Sequence, residues 1–291
     1  MDAVAQDELP DTLIATGGQR IRVRYRPGAG VPLLLCNGIG ASLEVLDPLV
    51  EALVPQRPVI RFDVPGTGES PASILPYGFP YLAWVLGRVL DRLDVGVVDV
   101  LGLSWGGALA QQFAFQNPLR CRRLILVSTG TGAIMVPGNP LVLSKMVTPR
   151  RFKDPGYGAR IAGELYGGTV RRDGKDVAEL FIRQLHAGSK VGYLHQLMAG
   201  AVWTSLFALP AIRQKTLIMA GSDDPIVPVI NARIMHTLMP RSGLFIHEGG
   251  HVDLVTNAAQ LAPVVDDFLG APGVGRRRWR GRPVEPLTPA D

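Results

Sequence analysis

Residues 97–115 read VVDVLGLSWGGALAQQFAF, and this stretch decides the fold. An apolar run (Val97, Val98, Val100, Leu101) stops at Gly102-Leu103-Ser104-Trp105-Gly106. A small-residue helix, Gly107-Ala108-Leu109-Ala110, follows with no polar loop between. The pattern G-x-S-x-G in this setting predicts a buried strand that turns directly into a helix, with Ser104 on the turn. The glycines two residues either side serve a steric purpose, because strand and helix are forced together and a side chain there would collide. The serine hydroxyl is left above the sheet edge, beside the N–H groups of a helix N-terminus. In a chain with 34 glycines the five-residue pattern alone is weak. Its position between an apolar strand and a helix gives it weight.

On the N-terminal side, residues 12–16 and 20–26 flank Gly17-Gly18 and predict a hairpin. Its second arm alternates Ile21, Val23 and Tyr25 with Arg20, Arg22, Arg24 and Arg26, which places the arginines on a solvated strand face. Residues 31–36 are apolar, as in a buried parallel strand. They end in Asn37-Gly38-Ile39-Gly40, and Ser42 is expected to cap a helix running to about residue 53. A strand at 59–63 leads into the turn Asp63-Val64-Pro65-Gly66-Thr67-Gly68-Glu69-Ser70. A helix at 79–93, the strand at 97–103, the helix at 105–116 and a strand at 122–128 complete the first half. The alternation resumes with a strand at 216–220, a helix at 229–239, a strand at 243–247 and a helix at 258–269. Such a rhythm demands right-handed crossovers and a mostly parallel twisted sheet with helices on both faces, an α/β fold. Residues 130–213 break it with helix-like patches at 155–166, 176–188 and 191–209. The expected organisation is a core of residues 1–130 and 213–270, an inserted helical cap at 131–212, and a disordered arginine-rich tail at 271–291.

Composition bounds the function. The 291 residues are 47% hydrophobic and 19% charged, as in a folded globular protein. The net charge of +5 is partly concentrated in the tail, a poor basis for nucleic-acid binding. The run Arg276-Arg277-Arg278-Trp279-Arg280-Gly281-Arg282 reads as a solvated end or as an attachment to an anionic surface. Cys36 and Cys121 read as buried free thiols. The acidic start MDAVAQDELPD is not a signal peptide, and no run reaches the roughly 18 apolar residues of a bilayer span. A cytoplasmic protein is expected. There is no H-E-x-x-H cluster or phosphate loop, so neither metal nor other cofactor is expected.

A serine hydroxyl is a poor nucleophile near neutrality unless a base takes its proton, usually a histidine held by a carboxylate. On a sheet of this kind the acid and then the histidine follow late strands. Gly221-Ser222-Asp223-Asp224-Pro225-Ile226-Val227-Pro228 offers two acids, and Gly249-Gly250-His251 offers the histidine. His186, His195 and His236 fall in helical patches, and His247 ends a strand. Two oxyanion donors are expected, the backbone N–H groups of Trp105 and Ile39.

These motifs in order, N-G-x-G, D-x-P-G-x-G-x-S, G-x-S-x-G, G-x-x-D-x-x-x-P and G-G-H, resemble the α/β-hydrolase superfamily over residues 21–269. More narrowly, CNGIGASLE, FDVPGTGES, GLSWGGALAQQFA, GAIMVPGNP and AGSDDPIVP resemble the intracellular poly(3-hydroxyalkanoate) depolymerases of the medium-chain-length type. So do the cap segments Tyr166-Gly167-Gly168 and Gly192-Tyr193-Leu194-His195-Gln196-Leu197, with Trp203-Thr204-Ser205. The resemblance implies a Ser104, Asp224 and His251 triad, Asp224 being chosen by the D-x-φ-φ-P turn, with Asp223 left as a turn-capping acid. It implies an ester or polyester substrate, and association with a polymer granule. Trp105, Met135, Met198 and Trp203 are then candidate substrate contacts, although cap packing explains each equally well. General carboxylesterase or lipase action and cofactor-free C–C bond hydrolysis remain alternatives. His251 is followed by Val-Asp-Leu, less apolar than the pattern leads one to expect.

Overall fold

The computed structural model describes residues 8–147, 150, 154–172 and 188–270. The helical patch expected at 176–188, but for its last residue, and the tail at 271–291 lie outside the described residues. In chain order the elements are β1 (Thr12–Thr16), β2 (Gln19–Arg26), β3 (Leu33–Cys36), a 3-10 turn (Leu43–Leu46), α1 (Asp47–Ala52), β4 (Val59–Phe62), α2 (Phe79–Arg92), β5 (Val98–Leu103), α3 (Trp105–Gln116) and β6 (Cys121–Val127). There follow α4 (Pro140–Ser144), α5 (Pro155–Tyr166), α6 (Gly168–Arg172), α7 (Lys190–Val202), a 3-10 turn (Leu209–Ala211), β7 (Lys215–Gly221), α8 (Val229–Leu238), β8 (Ser242–His247), α9 (Asp253–Thr256) and α10 (Ala258–Leu269).

The eight strands form one sheet in the order β1-β2-β4-β3-β5-β6-β7-β8. β1 and β2 are antiparallel, and the pairings from β4 to β8 are parallel. Strand alternation divides the core between the two faces. In β3, Leu33 and Leu35 pack with α1 and α10 through Leu49, Leu261 and Phe268, whereas Leu34 and Cys36 pack with α2 and α3 through Phe79 and Phe113. β5 lies inside the sheet with all six residues buried, so its C-terminal end is a rigid platform. Cys36 and Cys121 are free and buried. No helix among the described residues is long and apolar enough to cross a membrane.

Three expectations are corrected. The arginines of β2 do not all face water: Arg22 is 5% exposed, paired with Asp11, Glu44 and Asp63, and neighbouring Arg61 on β4 is 2% exposed, paired with Glu8 and Asp47. Paired charges tolerate such burial, and the 3-10 turn carrying Glu44 closes over them. The helix expected from Ser42 starts as that 3-10 turn and restarts with Pro48 in the first turn of α1, where a missing N–H costs nothing. The Ser42 hydroxyl makes no cap bond; the Leu43 N–H goes to Asp63 Oδ1 instead, at 2.8 Å. Finally, α7 stops at Val202 rather than near residue 209. The Trp203 carbonyl accepts from the Ala133 N–H at 2.7 Å, and Thr204 bridges to Gly132, which draws the chain into an extended path.

Candidate active site

β5 delivers Ser104 at φ 55°, ψ −118°, a backbone conformation that side chains rarely adopt. The turn is pinned on three sides. The Ser104 N–H donates to the Val127 carbonyl (2.9 Å), and the Ser104 carbonyl accepts from the Gly107 N–H (2.8 Å) and the Thr129 hydroxyl (2.7 Å). The flanking glycines are sterically required. A Cβ at Gly102 would overlap Gly106 and Gly107, and one at Gly106 would overlap the carbonyls of Cys36 and Asn37. Those obstacles are backbone atoms that cannot rotate away. Gly106→Ala is therefore expected to cost about 3 kcal/mol or more, seen as a fall in melting temperature of roughly 6–12 °C.

β7 ends at Gly221, and the turn after it places Asp224. One carboxylate oxygen accepts from the Ile226 and Val227 N–H groups, both at 2.9 Å, and the other lies 2.8 Å from His251 Nδ1. His251 Nε2 lies 2.8 Å from Ser104 Oγ. The three side chains thus form one hydrogen-bonded chain, with His251 and Asp224 buried beneath a partly exposed serine. His247, at the end of β8, stacks on Phe245, and burial holds its pKa below the ordinary histidine value. His236 pairs with Ser242, and His195 packs edge-on against Tyr77.

The loop 37–40 lies beside the serine: a Cβ on Gly38 would sit 3.9 Å from Ser104 Cβ. Asn37 braces the loop through a bond from Nδ2 to the Ser42 carbonyl (2.6 Å). Neither the Ile39 nor the Trp105 N–H donates to a protein acceptor among the described residues. Trp105 turns its indole N–H to the Gln196 carbonyl on α7 (2.9 Å) and its ring against Phe79, so that side chain is anchored under the insertion. Trp203 is 9% exposed, donates to Gln112 and packs on Phe79, which is a packing role. Met135 packs partly buried against the core, and Met198 is exposed on α7.

Sequence reasoning missed how the insertion grips the acid and histidine loops. Asp223 is more than a turn cap: it accepts from the Gly168 N–H (2.8 Å) and from Arg171 (2.7 Å), tying α6 to the loop of Asp224. The Tyr166 carbonyl accepts the His251 N–H at 2.7 Å. Asp253, the polar residue that interrupts the expected apolar pattern, is fully buried and accepts from the Gly250 N–H (2.8 Å) and from Thr169. The break in pattern was the available signal. No group of three or more His, Cys, Asp or Glu residues suited to a metal ion occurs among the described residues.

A serine at a tight strand-to-helix turn is thus hydrogen-bonded to a histidine, and the histidine to a carboxylate, both carried on loops that follow later strands of an α/β sheet. Residues 31–258 match the alpha/beta hydrolase fold family, and the chain belongs to it. The chain is 49% identical over 253 residues to the poly(3-hydroxyalkanoate) depolymerase of Ectopseudomonas oleovorans, covering 86% of this chain and 89% of that one. It is 28% identical to the 2-hydroxy-6-oxo-2,4-heptadienoate hydrolase of Pseudomonas putida over 84% of this chain and 91% of the relative. A hydrolase from Pseudomonas aeruginosa PA01 superposes with a TM-score of 0.76 at 26% identity, covering 90% of this chain and 98% of that one.

Proposed function

We propose that this chain is a serine esterase that depolymerises poly(3-hydroxyalkanoate), with Ser104, His251 and Asp224 as its triad. The observation that carries the reading is the pair of 2.8 Å contacts, from Ser104 Oγ to His251 Nε2 and from His251 Nδ1 to Asp224. His251 takes the proton as Ser104 Oγ attacks an ester carbonyl, and the tetrahedral oxyanion is held by the Ile39 and Trp105 N–H groups. Collapse breaks the acyl–oxygen bond, and the alcohol departs with the proton from His251. Water then attacks the acyl-enzyme as His251 accepts its proton; collapse breaks the bond from the acyl carbon to Ser104 Oγ, His251 returns the proton to Oγ, and the acid leaves with both residues restored. Asp224 holds the imidazole with Nε2 toward the serine and stabilises its charged form.

The substrate class rests on the 49% identical depolymerase and on the insertion between β6 and β7, read as a cap. On α7, Val191, Leu194, Met198 and Val202 are exposed at a spacing of three or four residues, an apolar stripe along one side of the helix. Such a stripe suits contact with the surface of a hydrophobic polyester granule. Leu194→Ser combined with Val202→Ser is expected to reduce co-sedimentation with polymer latex at least fivefold while leaving p-nitrophenyl ester turnover within twofold. Unchanged co-sedimentation rejects granule contact through this face.

The deciding experiment gives the purified protein medium-chain polymer latex, short-chain polymer and soluble p-nitrophenyl esters, with Ser104→Ala as the blank. Release of 3-hydroxy acids or oligomers from medium-chain latex is expected. Turnover of soluble esters with both polymers inert would instead mark a general carboxylesterase.

A further inference from the structure

We propose that Gln196, on α7 of the insertion, is a positioning residue for the oxyanion loop, so that the seating of α7 on the sheet sets the donors that stabilise the transition state. The inference rests on the hydrolase reading above and deepens it. Gln196 is fully buried. Its Oε1 accepts the Gly40 N–H at 3.0 Å, across 156 residues of chain, and its Nε2 donates to the Gly192 carbonyl one helical turn earlier, at 3.3 Å. One partner needs an acceptor and the other a donor, so the amide has a single satisfied orientation. The main-chain carbonyl of the same residue accepts the Trp105 indole N–H at 2.9 Å. Gln196 therefore holds both segments that carry the oxyanion donors, the peptide next to Ile39 and the residue after Ser104.

The helix bearing Gln196 is itself closely seated. A Cβ on Gly66 would overlap Gly192, a Cβ on Gly192 would overlap Gly66, and the Ser189 N–H donates to the Gly66 carbonyl at 2.9 Å. The glycine turn 63–70 is thus the socket for α7. Gly40 stands at φ 73° in a loop with little hydrogen bonding of its own, the Ala41 to Gly38 bond at 3.2 Å being one of the few. With its buried acceptor removed, the 39–40 peptide must turn to find another, and the adjoining 38–39 peptide, which carries the Ile39 N–H and shares the Ile39 Cα, is displaced by that rotation. Oxyanion stabilisation depends on donors fixed before the charge develops, so a small rotation is felt in the transition state and little in substrate binding.

The test is Gln196→Met, which keeps side-chain length and helix preference but removes the acceptor. On a soluble ester, kcat is expected to fall 10- to 100-fold with KM within threefold of the parent. The inhibition constant of an alkylboronic acid, whose serine adduct places a hydroxyl in the oxyanion position, is expected to rise by the same factor. A kcat within twofold of the parent overturns the proposal, as does an equal loss explained by a smaller folded fraction. Should the variant fail to fold, amide exchange on the unaltered protein decides. The Gly40 N–H is expected to be protected at least a hundredfold, and exchange at the rate of an unstructured peptide overturns the assignment. Failure of the unaltered protein to be labelled at Ser104 by a fluorophosphonate would strike the hydrolase reading itself, a result distinct from either outcome.

Discussion

Ser104→Ala is expected to lower kcat on any ester the protein turns over by about five to six orders of magnitude, with KM little changed. The substitution removes one oxygen and nothing else in the site depends on it: the Ser104 backbone, not its hydroxyl, makes the bonds to Val127, Gly107 and Thr129. His251 stays anchored through its N–H to Tyr166 and through Asp224. On the proposed mechanism the Ile39 and Trp105 N–H donors survive, so a residual advantage over water of about 10³–10⁴ is expected. Loss of the initial burst of p-nitrophenol, together with loss of fluorophosphonate labelling, checks the assignment. A variant that retains more than one hundredth of the parent rate sinks it. The backbone supplies a second reading. Because φ is 55° at this position, Ser104→Gly is expected to be more stable than Ser104→Ala by roughly 1 kcal/mol, the reverse of the usual order. The strain comes from a Cβ at this φ, which alanine keeps and glycine lacks, and thermal unfolding of the two inactive variants measures the difference.

What was legible in the sequence was what neighbouring residues impose on one another. Gly102, Ser104 and Gly106, set between an apolar run and a small-residue helix, read as a crowded turn, and the helices Trp105–Gln116 and Ala258–Leu269 lie where their patterns place them. The parallel sheet followed from short apolar runs between helical spacings. Partnerships between distant residues were not legible. An arginine alternating with valines looks the same whether water or Asp63 lies opposite, so the burial of Arg22 had no local sign. Gln196 is one polar residue in a helical stretch, and its role appears only when Gly40 arrives beside it. The helix end at Val202 depends on residues 131–133, which bind the chain beyond it. Asp253 alone left a trace, as a charge where an apolar residue was expected, and the reason for it was Gly250 and Thr169.

The two adjacent acids after β7 make the sharpest remaining test, because sequence pattern alone barely separates them and the structure assigns them opposite partners. Asp224→Asn is expected to lower kcat by about 10⁴-fold. Its remaining oxygen can still accept from Ile226 and Val227, so the loop holds its shape and thermal stability changes little. What changes is the face toward His251. An amide there presents N–H to Nδ1, which favours the tautomer carrying its proton on Nε2, and that nitrogen can no longer accept from Ser104. Asp223→Asn should leave kcat/KM within about threefold. Its ion pair with Arg171 is half-exposed and of the kind that contributes little, and an amide oxygen can still accept the Gly168 N–H. Were the roles reversed, the large loss would fall on Asp223 and the geometry around His251 would be irrelevant to turnover. Measured side by side on one soluble ester, the two variants separate the carboxylate that orients the base from the one that holds the insertion against it.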